Sequence, residues 1–231
     1  MKMRFLLIFF LTVLGSNGFG QSTLSDSLYN QAIILENDTA RIDYLINAIW
    51  NYKSLDRDVS FDLLSRLDDF HESSKVDYKV DTKYYYYGIL YKNVGQYDKS
   101  EEYLDRYYEV QKEKGDIRRM GIAAQAKCNM FFEQGLYDKS MEAGKKAIEI
   151  LEQLDNKKVV IPSYSRVGGI LMEMGRYKDA MEYHQIALDK ALAAKDTFFL
   201  GNVMNDIGIL YEKKGDLDST LFYYNKYREL S

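Results

Sequence analysis

Two histidines, one cysteine and several pairs of neighbouring acids are the groups of this chain whose types could do chemistry. Acid–base catalysis or metal binding would need such groups to converge on one point. His71 and His184 lie far apart in the sequence, and neither sits in an HExxH or Cys/His ligand spacing. His71 stands at the end of an apolar-periodic segment among acids, where a solvated side chain is expected. His184 occupies a position that other segments fill with packing residues, so a packing role is expected for it. Cys128 is the only cysteine, which rules out an internal disulfide and leaves its thiol to be buried. Glu101 with Glu102, and Asp68 with Asp69, fit solvated helix faces better than a catalytic pair. The "GGI" at 168–170 does not open a helix after a strand, as a phosphate loop would, and fits hairpin glycines instead. These residues form no catalytic constellation, and the expectation is a non-enzyme with no cofactor and no metal.

The richest chemistry left is aromatic and amide. The stretch "KYYYYGILYKNVGQYDKS" at 83–100 sets four tyrosines side by side ahead of two glycines and two further tyrosines. A chain of 231 residues that is 46% hydrophobic, 29% charged and carries one proline favours packed helices. A net charge of −4 with no basic stripe speaks against a nucleic-acid partner.

Residues 1–20 differ from the rest. Lys2 and Arg4 precede the apolar run "FLLIFFLTVLG", with Gly18 and Gly20 at small positions before Gln21. That is the pattern of a secretory signal peptide, and the run is shorter than the about 20 residues a membrane span needs. The expected mature chain is exported to a periplasmic or other extracytoplasmic space and has no membrane span. Cleavage removes two cations and no acid, taking the net charge from −4 to −6.

What positions the aromatics is a repeat. "GQYDKS" (95–100), "GLYDKS" (135–140), "GRYKDA" (175–180) and "GDLDST" (215–220) recur every 40 residues, and "LDRDVS" (55–60) is a degenerate first copy. One column reads Ala48, Gly88, Cys128, Gly168, Gly208, always small; three residues on come Asn51, Tyr91, Phe131, Leu171 and Tyr211. A further small column is Ser60, Ser100, Ser140, Ala180, Thr220. Small columns mark close helix crossings, and glycines 95, 135, 175 and 215 mark turns between two helices. Each unit is therefore expected to be a helical hairpin, whose second helix runs to a break such as "KGD", "LDN" or "AKD".

Glycine three residues before an aromatic, another glycine four further on, then an aromatic and a small residue resembles the tetratricopeptide repeat (TPR), here with a 40-residue period. The closing proline is absent, and Tyr44, Tyr84, Ala124, Tyr164 and Met204 stand where that repeat has its leading tryptophan. The resemblance implies an all-α fold: an α-solenoid of about five hairpins in a right-handed superhelix, with repeats at about 41–80, 81–120, 121–160, 161–200 and 201–231. A short N-terminal capping helix is expected within 21–38, using Leu24, Leu28, Ala32 and Leu35, with "NDT" capping the first repeat helix.

The resemblance also implies a concave surface lined by the first helix of each hairpin. Tyr84 and Tyr87 are expected inside their hairpin, with Tyr85 and Tyr86 facing the groove. The groove candidates are Tyr52, Tyr85, Tyr86, Lys92, Asn93, Gln125, Asn129, Phe132, Arg166, Asn202 and Asn205, flanked by Ile89, Glu133, Ser165, Met172 and Asp206. Aromatics and amides of this kind suit an extended peptide or protein segment. Only Asn129 and Arg166 match the family's carboxylate-gripping set, and its lysines are missing. The function implied is an exported scaffold that binds a protein or peptide; the alternative is the extracytoplasmic sensor portion of a larger signal-transduction protein. Leu221, Phe222, Tyr223, Tyr224, Tyr227 and Leu230 close the array without a polar cap, which implies either further chain or self-association through that end.

Overall fold

A computed structural model describes residues 21–230. The expected signal peptide falls on residues 1–20 and lies outside them. The described residues form an α-solenoid. Helix α1 (Gln21–Ile33) precedes five hairpins: α2 (Asp38–Tyr52) with α3 (Arg57–Ser74), α4 (Thr82–Asn93) with α5 (Tyr97–Glu113), α6 (Ile117–Glu133) with α7 (Tyr137–Leu151), α8 (Ile161–Glu173) with α9 (Tyr177–Ala193), and α10 (Thr197–Lys214) with α11 (Leu217–Leu230). No helix among the described residues is long and apolar enough to cross a membrane.

Local chemistry sets the helix starts and the turns. Asn37, Asp56, Asp116 and Asp196 each accept a backbone N–H three residues on, which satisfies a free donor of α2, α3, α6 and α10. The hairpin turns need a left-handed residue, and Gly95, Gly135, Gly175 and Gly215 supply it at φ of 73 to 78°. Pro162 stands in the first turn of α8, where its missing N–H costs nothing.

Hairpins close by pairing a small residue on the first helix with a larger one on the second. A Cβ added at Gly88 would lie 2.7 Å from Leu104, one at Gly168 2.7 Å from His184, and one at Gly208 2.6 Å from Tyr224. In the third repeat the sizes are exchanged: Cys128 is on the first helix, and a Cβ added to Gly144 on the second would meet its Sγ at 3.1 Å. The serines of the small column add a hydrogen bond across their crossings. Ser100 Oγ donates to Gly88 O at 2.7 Å, and Ser140 Oγ to Cys128 O at 2.8 Å. Cys128 is free and buried, and burial pushes its thiol up.

Helix α1 covers the first hairpin through Leu24, Leu28 and the fully buried Ala32. At the other end, Leu217, Leu221 and Phe222 of α11 are more than half exposed. His71 departs from expectation. It is buried, its Nε2 is 3.1 Å from Tyr78 O, and burial lowers its pKa. The segment after α3 folds back over the helix end and covers the ring that acids alone would have left in water.

Candidate functional site

The first helices α2, α4, α6, α8 and α10 carry all the residues named for the groove. The structure divides those residues into two sets. In repeats 1 and 2 they are spent on the protein itself. Tyr86 is only 8% exposed and packs edge-on to Trp50, with ring centroids 6.4 Å apart; burial raises its hydroxyl to about 12. Tyr85 packs into both the first and the second core clusters, 5.5 Å from Tyr107. Tyr84 and Tyr87 stack instead on Tyr103, and Tyr87 donates a 3.1 Å hydrogen bond to Asp68.

This corrects the expected division of the tyrosine run, in which Tyr85 and Tyr86 were to face the groove. Four consecutive residues sweep most of a helical turn, at 3.6 residues per turn. Helix α4 packs against α3, α5 and α6, and Tyr86 also reaches Trp50 of α2, so all four positions find cover.

The remaining candidates of this half are also engaged. Asn93 Nδ2 donates to Lys53 O at 3.0 Å, tying α4 to the end of α2. Lys92 Nζ pairs with Glu133 at 2.6 Å, a rung between α4 and α6. Tyr52 is half-buried against the first core cluster, and Ile89 against the second.

Repeats 3 to 5 are built differently. A hollow of about 320 Å³ opens between α6, α8 and α10, and the groove candidates Phe132, Arg166 and Asn202 line it together with Ser165, Met172 and Asp206. A smaller hollow of about 110 Å³ adjoins it, lined by Gln125, Asn129 and Cys128, and shares Pro162 and Arg166 with the first. Asn205 lies half-buried on α10, outside both.

The repeat register explains the hollows. Where α4 has Tyr85, the next helices carry Gln125, Ser165 and Asn205; where it has Ile89, α6 has Asn129 and α8 has Gly169. A Cβ built on Gly169 meets nothing within 4 Å. The groove is open where large residues of the column are replaced by small ones. Gln125 holds the rim in place, since its Nε2 donates to Ser163 Oγ at 2.7 Å and to Val159 O at 3.2 Å.

The larger hollow is also electrostatically mixed. The Arg166 guanidinium lies 4.9 Å from the Phe132 ring centroid. Burial holds the half-buried Asp206 carboxyl above its ordinary value, while Ser165 and Arg166 pull in the opposite direction. The Ser165 hydroxyl is buried without a fully formed hydrogen bond. His184 forms part of the lining from α9. It is fully buried, neither ring nitrogen has a hydrogen-bond partner among the described residues, and burial lowers its pKa to about 4. His184, Gly169, Phe199 and Val203 were not among the residues singled out for the groove. The histidine was legible as an odd member of a column otherwise holding Leu64, Leu104, Gly144 and Tyr224.

The chain matches no protein-family model and no curated protein. Among solved structures it is similar to BtubC (BKLC) from P. vanneervenii, at 16% identity and TM-score 0.68, covering 91% of this chain and 89% of that one. It is similar to a Rap protein solved in complex with Competence and Sporulation Factor, at 14% identity and TM-score 0.72, covering 89% of this chain and 58% of that one. A third is a signal-transduction ATPase with numerous domains and a tetratricopeptide repeat sensor from Pyrococcus horikoshii, at 17% identity and TM-score 0.71. That match covers 89% of this chain and 31% of the ATPase. At these identities the likeness speaks to the fold, which is of the TPR type.

Proposed function

We propose that this TPR-type solenoid is an exported scaffold that binds a protein or peptide partner through the groove face of repeats 3 to 5. One observation carries the reading: two adjoining hollows, sharing Pro162 and Arg166, run across α6, α8 and α10 and present amides, a guanidinium and aromatic surface. An extended chain laid across them could pair its backbone with Asn129 and Asn202 and seat side chains against Phe132 and Met172. Binding of this kind uses a surface formed in advance, which limits the ordering cost to the ligand. The Rap protein solved with Competence and Sporulation Factor supports a binding role for such a fold.

The test is selection of a random peptide library on the full chain, followed by calorimetric titration of the selected peptides. Replacing Asn129, Arg166 and Asn202 together by alanine is expected to weaken binding at least tenfold. Undiminished binding by that variant, or no selectable peptide, would contradict the reading.

Export is part of the same proposal and rests on the basic start and apolar run of residues 1–20. N-terminal sequencing of the protein recovered from a bacterial periplasm should begin at Gln21. A second reading makes this region the sensor portion of a larger signalling protein. It is favoured by the ATPase neighbour, in which a tetratricopeptide repeat sensor is one part of a longer chain.

A further inference from the structure

We infer that the hollow between α5 and α7, floored by α6, is a binding site for a single uncharged aromatic ring of the phenol class, which takes the place of two tyrosines that the third repeat lacks. The inference goes beyond the groove reading, since the lining of this hollow shares no residue with the two groove hollows.

The repeat register explains the gap. At one column the first helices carry Tyr84, Ala124, Tyr164 and Met204, and at its partner column the second helices carry Tyr103, Ala143, Tyr183 and Tyr223. In the second and fourth repeats the two columns meet as ring pairs: Tyr84 with Tyr103 at 6.4 Å between centroids, and Tyr164 with Tyr183 at 6.1 Å. The third repeat puts alanine at both positions, and a hollow of about 280 Å³ lies against them with the neighbouring side chains in place. That is just below the about 300–1,000 Å³ of drug-sized ligand sites, so it suits one ring. Ala124 and Ala143 remain 4% and 9% exposed, so a ring that enters can reach them.

Charges and ring contacts decide the chemistry. Three lysines and three acids line the hollow, and Lys127 of α6 already joins Glu101 at 3.2 Å and Asp105 at 2.7 Å. The balance favours an occupant without net charge. The cations that attend the tyrosines of the second repeat are retained in the third. Arg106 lies 4.3 Å from the Tyr84 ring centroid and Lys99 5.0 Å from that of Tyr91, and their counterparts one period on are Lys146 and Lys139. Neither lysine has an ion pair among the described residues. Each lies over an aromatic wall instead, Lys146 over Tyr108 at 4.1 Å and Lys139 over Phe131 at 5.4 Å. An electron-rich ring entering against Ala124 gains cation–π contact with these ammonium groups and ring contact with Tyr108 and Phe131. Glu142, also without an ion pair among the described residues, can accept a phenol hydroxyl.

The experiment titrates the full chain, labelled at its alanine methyls, with three probes. These are p-cresol, 4-methylcyclohexanol as a similar shape without a π face, and N-acetyl-tyrosinamide as the ring carried on a peptide unit. Ala124→Ser and Ala143→Ser assign the two methyl NMR signals. p-Cresol should shift both signals saturably at millimolar concentration and bind at least about threefold more tightly than 4-methylcyclohexanol. Ala124→Tyr/Ala143→Tyr restores the ring pair of the neighbouring repeats, and should raise the unfolding temperature and abolish binding. Lys139→Gln/Lys146→Gln leaves the floor untouched and should weaken p-cresol about fivefold, which decides the matter if the tyrosine variant does not fold. Comparable binding of N-acetyl-tyrosinamide would support the site and identify its ligand as a partner's side chain; binding of p-cresol alone would support it and identify a free phenol. Unmoved methyl signals, equal affinity for 4-methylcyclohexanol, or unchanged affinity in either folded variant would overturn the inference.

Discussion

Repeats 1 and 2 and repeats 3 to 5 are the same hairpin used to different ends. The first pair fills its groove side with its own Tyr85, Tyr86 and Ile89 and locks the helices with the Lys92–Glu133 and Asn93–Lys53 contacts. The later repeats put Ser165, Gly169 and Asn129 in the same columns and leave space, with polar groups that lack partners. In a solenoid each unit must cover its neighbours, but the groove-side positions are free to vary. Filling them stabilises; emptying them makes a site.

The contrast is broken most severely at Tyr86. Truncating this buried ring by Tyr86→Ala should cost about 3–5 kcal/mol in urea denaturation, as large-to-small core changes do. A loss below about 1 kcal/mol would mean that the first half is as open as the second.

Acid should strike the other half. His184 has a folded pKa of about 4 against an ordinary 6.5, so the unfolded chain takes up the proton first. The stability this group contributes is complete above pH 6.5, falls as pH drops to about 4, and levels off below. The fall attributable to His184 is about 3 kcal/mol at 1.36 kcal/mol per pKa step. Denaturation curves at several pH values should show it in the wild type and not in His184→Leu; parallel curves for the two would refute it.

Adjacent glycines sharpen the comparison further. Gly168→Ala drives a methyl to within 2.7 Å of the His184 ring and should cost about 1–3 kcal/mol. Gly169→Ala places its methyl in open space on a helix and should stabilise by about 0.5–1 kcal/mol. Thermal unfolding should move in opposite directions for the two, and a common direction would remove the hollow from this position. The smallest effect is expected for Arg166→Ala: under about 1 kcal/mol in stability, because the guanidinium has no ion pair among the described residues and loses a cation–π contact and a longer-range attraction to Asp206.

Much of this was legible in the sequence because the repeat is periodic. The column Ala48, Gly88, Cys128, Gly168, Gly208 announced the helix crossings, and the turn glycines were found in the left-handed region where the spacing put them. The tyrosine run misled because periodicity reports which residues share a face, not how many neighbours a helix has. Tyr86 meets Trp50 of α2 and is buried from a side that looked free. His71 misled for a related reason: residues beyond the helix fold back over it. The hollow was half visible. Arg166, Phe132 and Asn202 stood out by type, whereas the space between them comes from what Ser165 and Gly169 lack.

Hydrogen–deuterium exchange with and without a selected peptide would test the division of the groove most directly. The account predicts added protection on α6, α8 and α10 near Asn129, Arg166 and Asn202, and none on α2 or α4. Protection confined to α2 and α4, or to the second helices of the hairpins, would contradict it.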